Sequence, residues 1–301
     1  MKRYLMLMIL FLLPLKALAL NVFACEPQWA ALTKALAGDQ AQITLALDAS
    51  QDPHHVQARP SLISRMRRAD LVVCTGGELE IGWLPVLLQQ GNNPKVTHAP
   101  GLFYADKQIT LVGKPVVLDR AQGDIHPDGN PHAHLDPERL LTVAKALSAR
   151  LQEIDPAHAN VYQQRLADFA QRWAAAMARW KAEVAPLKGE KVIVHHDEWT
   201  YLLSWLGMSQ AGELEPKPGL PPTPAHLAEL VGQVKASSAR LIIYAPHNSP
   251  DASNWLAAHT SACAVELPFT VGGNAKATNL FALFDDSIQR LLQASKECHH
   301  E

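Results

Sequence analysis

The chain has 301 residues, with 27 Lys+Arg against 29 Asp+Glu, 14 His and a formal net charge of −2. That near-balance, with no basic stripe, argues against nucleic acid as a partner. The length suits two domains of ordinary size.

The first residues, MKRYLMLMILFLLPLKALAL, pass from Lys2 and Arg3 through an apolar run, Tyr4 to Leu15, to the small-x-small triplet Ala17-Leu18-Ala19. This order is the pattern of a cleavable secretory signal peptide. Residues 1–19 are therefore expected to be removed, leaving a soluble chain in the periplasm. The apolar run falls short of the ~20 residues of a membrane span, and no cysteine follows the cleavage site to carry a lipid anchor. Four cysteines form an even set for an oxidising compartment. Cys25 and Cys74 each end an apolar, strand-like run, while Cys263 and Cys298 lie near the C-terminus. One disulfide bond is expected in each half, with one pair left as free thiols as the alternative.

From residue 20 to about 155 strands and helices alternate: LNVFAC (strand), QWAALTKALAG (helix stopped by Gly38), QITLAL (strand), RPSLISRMRRA (helix, Ser61 as cap), DLVVCTG (strand), LEIGWLPVLLQQG (helix). Strands separated by roughly ten-residue helices imply βαβ units and a parallel sheet. DPERLLTVAKALSARLQEI then starts a helix behind Asp136, with Leu140, Leu141, Ala144, Leu147 and Leu151 on one face. Residues 156–186 read as one long helix, with no glycine or proline between Pro156 and Pro186 and an apolar stripe of Leu166, Phe169, Trp173, Ala176, Met177 and Trp180. About 45 Å of helix is either a core helix or a strut between two lobes. The strut is favoured because the alternation restarts in residues 187–301, with strands at EKVIVHH, ARLIIYA and ACAVEL. Helices there are expected at EWTYLLSWLG, behind Thr223, at SPDASNWLAAHTS and at ATNLFALFDDSIQRLLQAS. The fold class expected is thus α/β, two Rossmann-like lobes with parallel sheets joined by a long rigid helix.

Three segments place histidines between a strand and the next helix: DPHHVQARPS (His54, His55), GNPHAHLDP (His132, His134) and VIVHHDEW (His195, His196). Ligands of parallel α/β sheets bind at the carboxyl ends of the strands, where such loops lie. Imidazoles from both lobes converging on a cleft would suit zinc.

These segments resemble those of the periplasmic zinc- and manganese-binding proteins of ABC importers, the ZnuA-like cluster A-I solute-binding proteins. DPHHVQARPS stands for a PHxYxxxPS-like stretch, NPHAHLDP for DPHAWLDP, and HHDEWTYLLSWLGM for HDAYGYFARRYGL. PPTPAHLAELVGQVKASSARLIIY also matches, the long helix is shared, and the likeness covers essentially the whole mature chain. It implies metal ligands at His54, His132 and His196, and a metal site in the inter-lobe cleft. Where many members bring an aspartate as fourth ligand, this chain has Thr278, and TVGGNAKAT holds no acid. His55, His126 and His134 are the candidates for that position or for transient capture, while His195, Glu26, Asp285 and Asp286 read as structural or surface groups. The resemblance further implies a monomeric zinc-binding receptor, not an enzyme, that delivers Zn2+ to a membrane permease with its cytoplasmic ATPase. Mn2+ is the less suited ion, because it prefers oxygen donors. The competing reading is a zinc hydrolase whose fourth position is open and whose general base is Asp197 or Glu198.

Overall fold

The computed structural model describes residues 19–116, 118 and 123–298. The expected leader lies outside these residues except for Ala19. No helix among the described residues is long and apolar enough to cross a membrane.

Strands β1 (Leu20–Ala24), β2 (Ala41–Leu45), β3 (Leu71–Cys74) and β4 (Leu102–Tyr104) form one sheet in the order β2-β1-β3-β4. Every pairing in it is parallel. β3 is the unbroken apolar run LVVC, buried at all four positions, as a parallel sheet covered on both faces requires. The crossovers are α1 (Pro27–Ala37), α2 (Pro60–Met66) and α3 (Leu84–Gly91). Gly38 ends α1 as expected, at φ 58°, with its N–H donating to Lys34 O. Ser61 is not a cap: α2 begins at Pro60 and no side chain caps it. α3 starts later than its apolar pattern suggested, because Pro85 lies in its first turn.

The second sheet repeats this order with β5 (Lys191–Val194), β6 (Ser209–Glu213), β7 (Leu241–Tyr244) and β8 (Cys263–Glu266), arranged β6-β5-β7-β8. It too is parallel throughout. Between the sheets in the chain come α4 (Pro137–Ile154) and α5 (Ala159–Glu183), and the second sheet is flanked by α6 (Thr200–Leu206), α7 (Pro224–Ser237), α8 (Asp251–Ala258) and α9 (Leu280–Glu297). Asp136 caps α4 by accepting from Glu138 N and Arg139 N, and Thr223 caps α7 by accepting from His226 N. β4 and β6 were not anticipated. The three residues of β4 are too few to show a period, and SQAGE of β6 is polar and half-buried at an edge.

α5 has 25 residues, about 37 Å of helix. It is more than a strut. Tyr162, Phe169, Trp173, Ala176 and Trp180 bury one face of it, and that face belongs to a single core running from Val22 and Val73 of the first sheet to Val192, Val194 and Ile243 of the second. Trp173 packs on Phe169, Trp180, Phe281 and Phe284 and donates to Pro137 O at 2.8 Å. Leu166 and Met177, expected in the stripe, are only partly buried. Both expected disulfides, Cys25–Cys74 and Cys263–Cys298, are present, and no cysteine is free.

Candidate metal centre

Every side chain of the site comes from a segment that follows the carboxyl end of a strand. His54 lies between β2 and α2, His126 and His132 in the long segment from β4 to α4, and His196 directly after β5. The His54 segment is fixed by Trp83, whose Nε1 donates to Pro53 O at 2.9 Å. Asn130 Oδ1 accepts from His132 N, while Asn130 Nδ2 donates to Asp197 O in the second lobe. Tyr201 Oη donates to Asn130 O and accepts from Val112 N, so the second lobe holds the His132 segment directly. The proline-rich loop after β6 lies over the His126 segment, Asp124 N donating to Pro218 O. Gly219 there adopts φ +76°, a conformation that favours glycine, and a Cβ would push on the Asp124 carboxylate.

His54 Nε2 and His126 Nε2 are 3.2 Å apart. Two donors bound to one tetrahedral zinc at ~2.0–2.1 Å are separated by about 3.3 Å, so this is the spacing of two ligands to a common ion. His54, His126 and His132 each offer a ring nitrogen within 4.8 Å of the others. His196 faces them from the second lobe, its ring centre 5.7 Å from that of His54 and 5.6 Å from that of His132. His132 is only 2 % exposed, yet neither of its ring nitrogens has a hydrogen-bond partner. A buried imidazole without partners is costly, and an ion bound at one nitrogen removes that cost.

The outer ring nitrogens are held in the way that suits metal ligation. His54 Nδ1 meets Asp52 Oδ1 at 2.8 Å, His126 Nδ1 meets Gly77 O at 2.8 Å, and His196 Nδ1 meets Glu215 Oε2 at 2.8 Å. A proton on Nδ1 alone leaves Nε2 with a lone pair toward the centre, a state that His196, held as a cation by its acidic neighbours, reaches by giving up its Nε2 proton to an arriving ion. Burial, then the charge of His54, pushes His126 down to about 4. Burial and then the neighbouring His196, His54 and His126 drive His132 well below its ordinary value. Both therefore stay neutral, the form that binds metal. For His196 burial also opposes charge, but the Glu215 hydrogen bond and the charges of Glu198, Glu215 and Asp197 outweigh it and push the ring up to about 9. Burial would raise Asp52, but the His54 hydrogen bond and charge hold it below the carboxylate range.

Of the residues singled out for a fourth position, His126 joins the cluster and the others do not. His55 is exposed at 69 % of its side chain, with its ring 4.0 Å from the Asp124 carboxylate. His134 is buried and bonds Phe269 O at 3.0 Å; burial first of all pushes it down to about 4. Thr278 is exposed; its N–H donates to Lys276 O and its hydroxyl accepts from Asn279 Nδ2, so it stands apart from the histidines. His195 is buried beside the site, 4.0 Å from Glu215. Glu26 is buried and accepts from the Thr75 hydroxyl at 2.9 Å. Asp285 accepts from Arg179 and from Trp180 Nε1, which pins α9 to α5, and Asp286 is buried against Arg290 and Asn274 rather than solvated. Sequence reasoning missed Asp52, Glu215 and His247. Asp52 lies two residues before His54 and was readable as its partner, whereas Glu215 and His247 each stand in a separate loop that no spacing pattern ties to the histidines.

The profile of the ZnuA family, described as zinc-uptake complex component A, periplasmic, matches residues 22–294. The zinc-binding lipoprotein AdcA of Streptococcus pneumoniae serotype 4 is 23 % identical over 234 residues, 74 % of this chain and 44 % of AdcA. Alignments to the curated relatives span about half of their length or less. A crystal structure of ZnuA superposes with a TM-score of 0.77 at 21 % identity, covering 92 % of this chain and 99 % of that one. The Mn-bound periplasmic metal binding protein from candidatus Liberibacter asiaticus gives 0.73 at 16 % identity, covering 90 % and 98 %. At these identities the superpositions speak to the fold.

Proposed function

The chain belongs to the ZnuA family, and on that premise we propose that it is an extracytoplasmic receptor that captures Zn2+ as cargo between its lobes. His54, His126, His132 and His196 are the ligands. The zinc then passes to the membrane permease of an ABC importer driven by a cytoplasmic ATPase. The chain acts in the periplasm, residues 1–19 serving as its signal peptide, with lobes at 20–155 and 187–301 joined through 156–186. One chain supplies all four imidazoles, so a monomer suffices.

The observation that carries this reading is the 3.2 Å approach of His54 and His126 Nε2 beside the unpartnered, buried His132. Four nitrogen donors favour zinc over the harder Mn2+, although a structural neighbour is Mn-bound. The hydrolase reading loses its support. His126 takes the position that catalysis would need open, Asp197 is bonded by Thr200 and Asn130, and Glu198 is paired with His247. Because α5 is packed into a core common to both lobes, release proceeds by small tilts and loop movement rather than wide opening.

Calorimetric titration of metal-free protein with Zn2+ tests the reading. A tight first equivalent is expected. His54→Ala, His126→Ala, His132→Ala and His196→Ala should each weaken it by more than the ~10–100-fold that loss of an outer partner costs. Unchanged affinity in any two of the four defeats the ligand assignment.

A further inference from the structure

A small cavity of about 30 Å³ adjoins the imidazole cluster and shares His54, His132 and His196 with it. Four carboxylates also line it, those of Asp52, Asp124, Glu198 and Glu215, together with His247, and no Lys or Arg is among its lining residues. Such a cavity attracts cations. Glu198 is 1 % exposed and the His247 side chain 7 %. Glu198 Oε1 and His247 Nδ1 both lack hydrogen-bond partners, although a buried carboxylate oxygen left unpaired is costly. The facing atoms, Glu198 Oε2 and His247 Nε2, form an ion pair at 3.3 Å; a divalent ion that displaced the proton between them would find two donors already at the separation of ligands on one tetrahedral ion, about 3.3 Å. The sheet fixes this pair, because Glu198 follows β5, His247 follows β7, and those strands are hydrogen-bonded neighbours.

We propose that Glu198 and His247 form a second divalent-cation position in the cleft, distinct from the four-imidazole site and faced by Asp52 from the other lobe. The proposal rests on the reading of the chain as a zinc receptor and deepens it: the cleft holds two ions, or gives one ion two stops. One imidazole with carboxylates is a harder, less complete donor set than four imidazoles, so this position binds zinc more weakly.

The test is equilibrium dialysis of the full chain against Zn2+ alone, with zinc counted per chain at saturation. Wild type should take two equivalents, one tight and one weaker. Glu198→Gln and His247→Ala should each retain the tight equivalent and lose the weaker, and His55→Ala, which removes the exposed histidine, should retain both. Circular dichroism checks that each variant is folded; if one is not, the other carries the test. A single equivalent in wild type, or two in both Glu198→Gln and His247→Ala, overturns the second position alone. Absence of the tight equivalent in wild type overturns the receptor reading and this proposal with it.

Discussion

Glu215 reaches His196 Nδ1 and Gly219 N with the same oxygen, at 2.8 and 2.7 Å. It both orients His196, which the second lobe brings to the imidazole cluster, and ties down the proline-rich loop. Glu215→Gln keeps the size of the side chain and removes its charge. Zinc affinity is expected to fall ~10–100-fold with little change in unfolding midpoint, measured by competition with a chelator; unchanged affinity would mean that Glu215 does not orient the ligand. Such groups were hidden in the sequence. His54, His132 and His196 were singled out because each sits beside prolines or a strand end in a recognisable stretch, and the structure brings their rings to face one another. His126 was named only as one of three candidates, because what places it, the Gly77 carbonyl from a segment 49 residues away and a loop that comes later in the chain, leaves no spacing to read. Glu26 and Glu80 are buried together, and burial first, with mutual repulsion acting on Glu26, raises Glu26 well above the carboxylate range and Glu80 to about 7. The native protein therefore holds a proton that the unfolded chain, with carboxyls at ~4.3, releases. Stability contributed by that proton is full below the unfolded value and is lost as pH rises toward 7, on the order of 1–3 kcal/mol. Urea unfolding at pH 5 and pH 8 should show this loss in wild type and a smaller one in Glu26→Gln; equal losses would contradict the shared proton.

Among the elements, the long helix is the one whose role the structure enlarges. Its apolar stripe was plain from the sequence, but a stripe says only that a face is buried, not that the two sheets bury it together. That follows from the contacts of Trp173 with Phe281 and Phe284 of α9 and its hydrogen bond to the start of α4. Trp173→Ala removes a fully buried indole, and such truncations cost about 3–5 kcal/mol. A loss of this size is expected in urea unfolding, in one cooperative transition because the core is shared. A loss below ~1 kcal/mol, or separate transitions for the two lobes, would show that α5 only connects them. The caps at Asp136 and Thr223 were readable because capping is local chemistry. β6 was not, since its place is dictated by pairing with β5, with a register shift between Val192 and Ile193, rather than by its own polar residues.

For the whole molecule, two parallel sheets of identical strand order present their carboxyl ends to one cleft, and the helix between them is buried in a core common to both. Three imidazoles come from one lobe and one from the other, so an ion bound by all four would tie the halves together and its release would require relative movement of His196. The alternation of strands and helices was enough to foresee the two lobes; which loops meet across the cleft depends on packing that no single segment encodes. X-ray absorption of protein loaded with one equivalent of Zn2+ counts the imidazoles on the ion. Zinc bound by four imidazole nitrogens at ~2.0–2.1 Å is expected. A shell with two or fewer imidazoles, or one dominated by carboxylate oxygen, would contradict it.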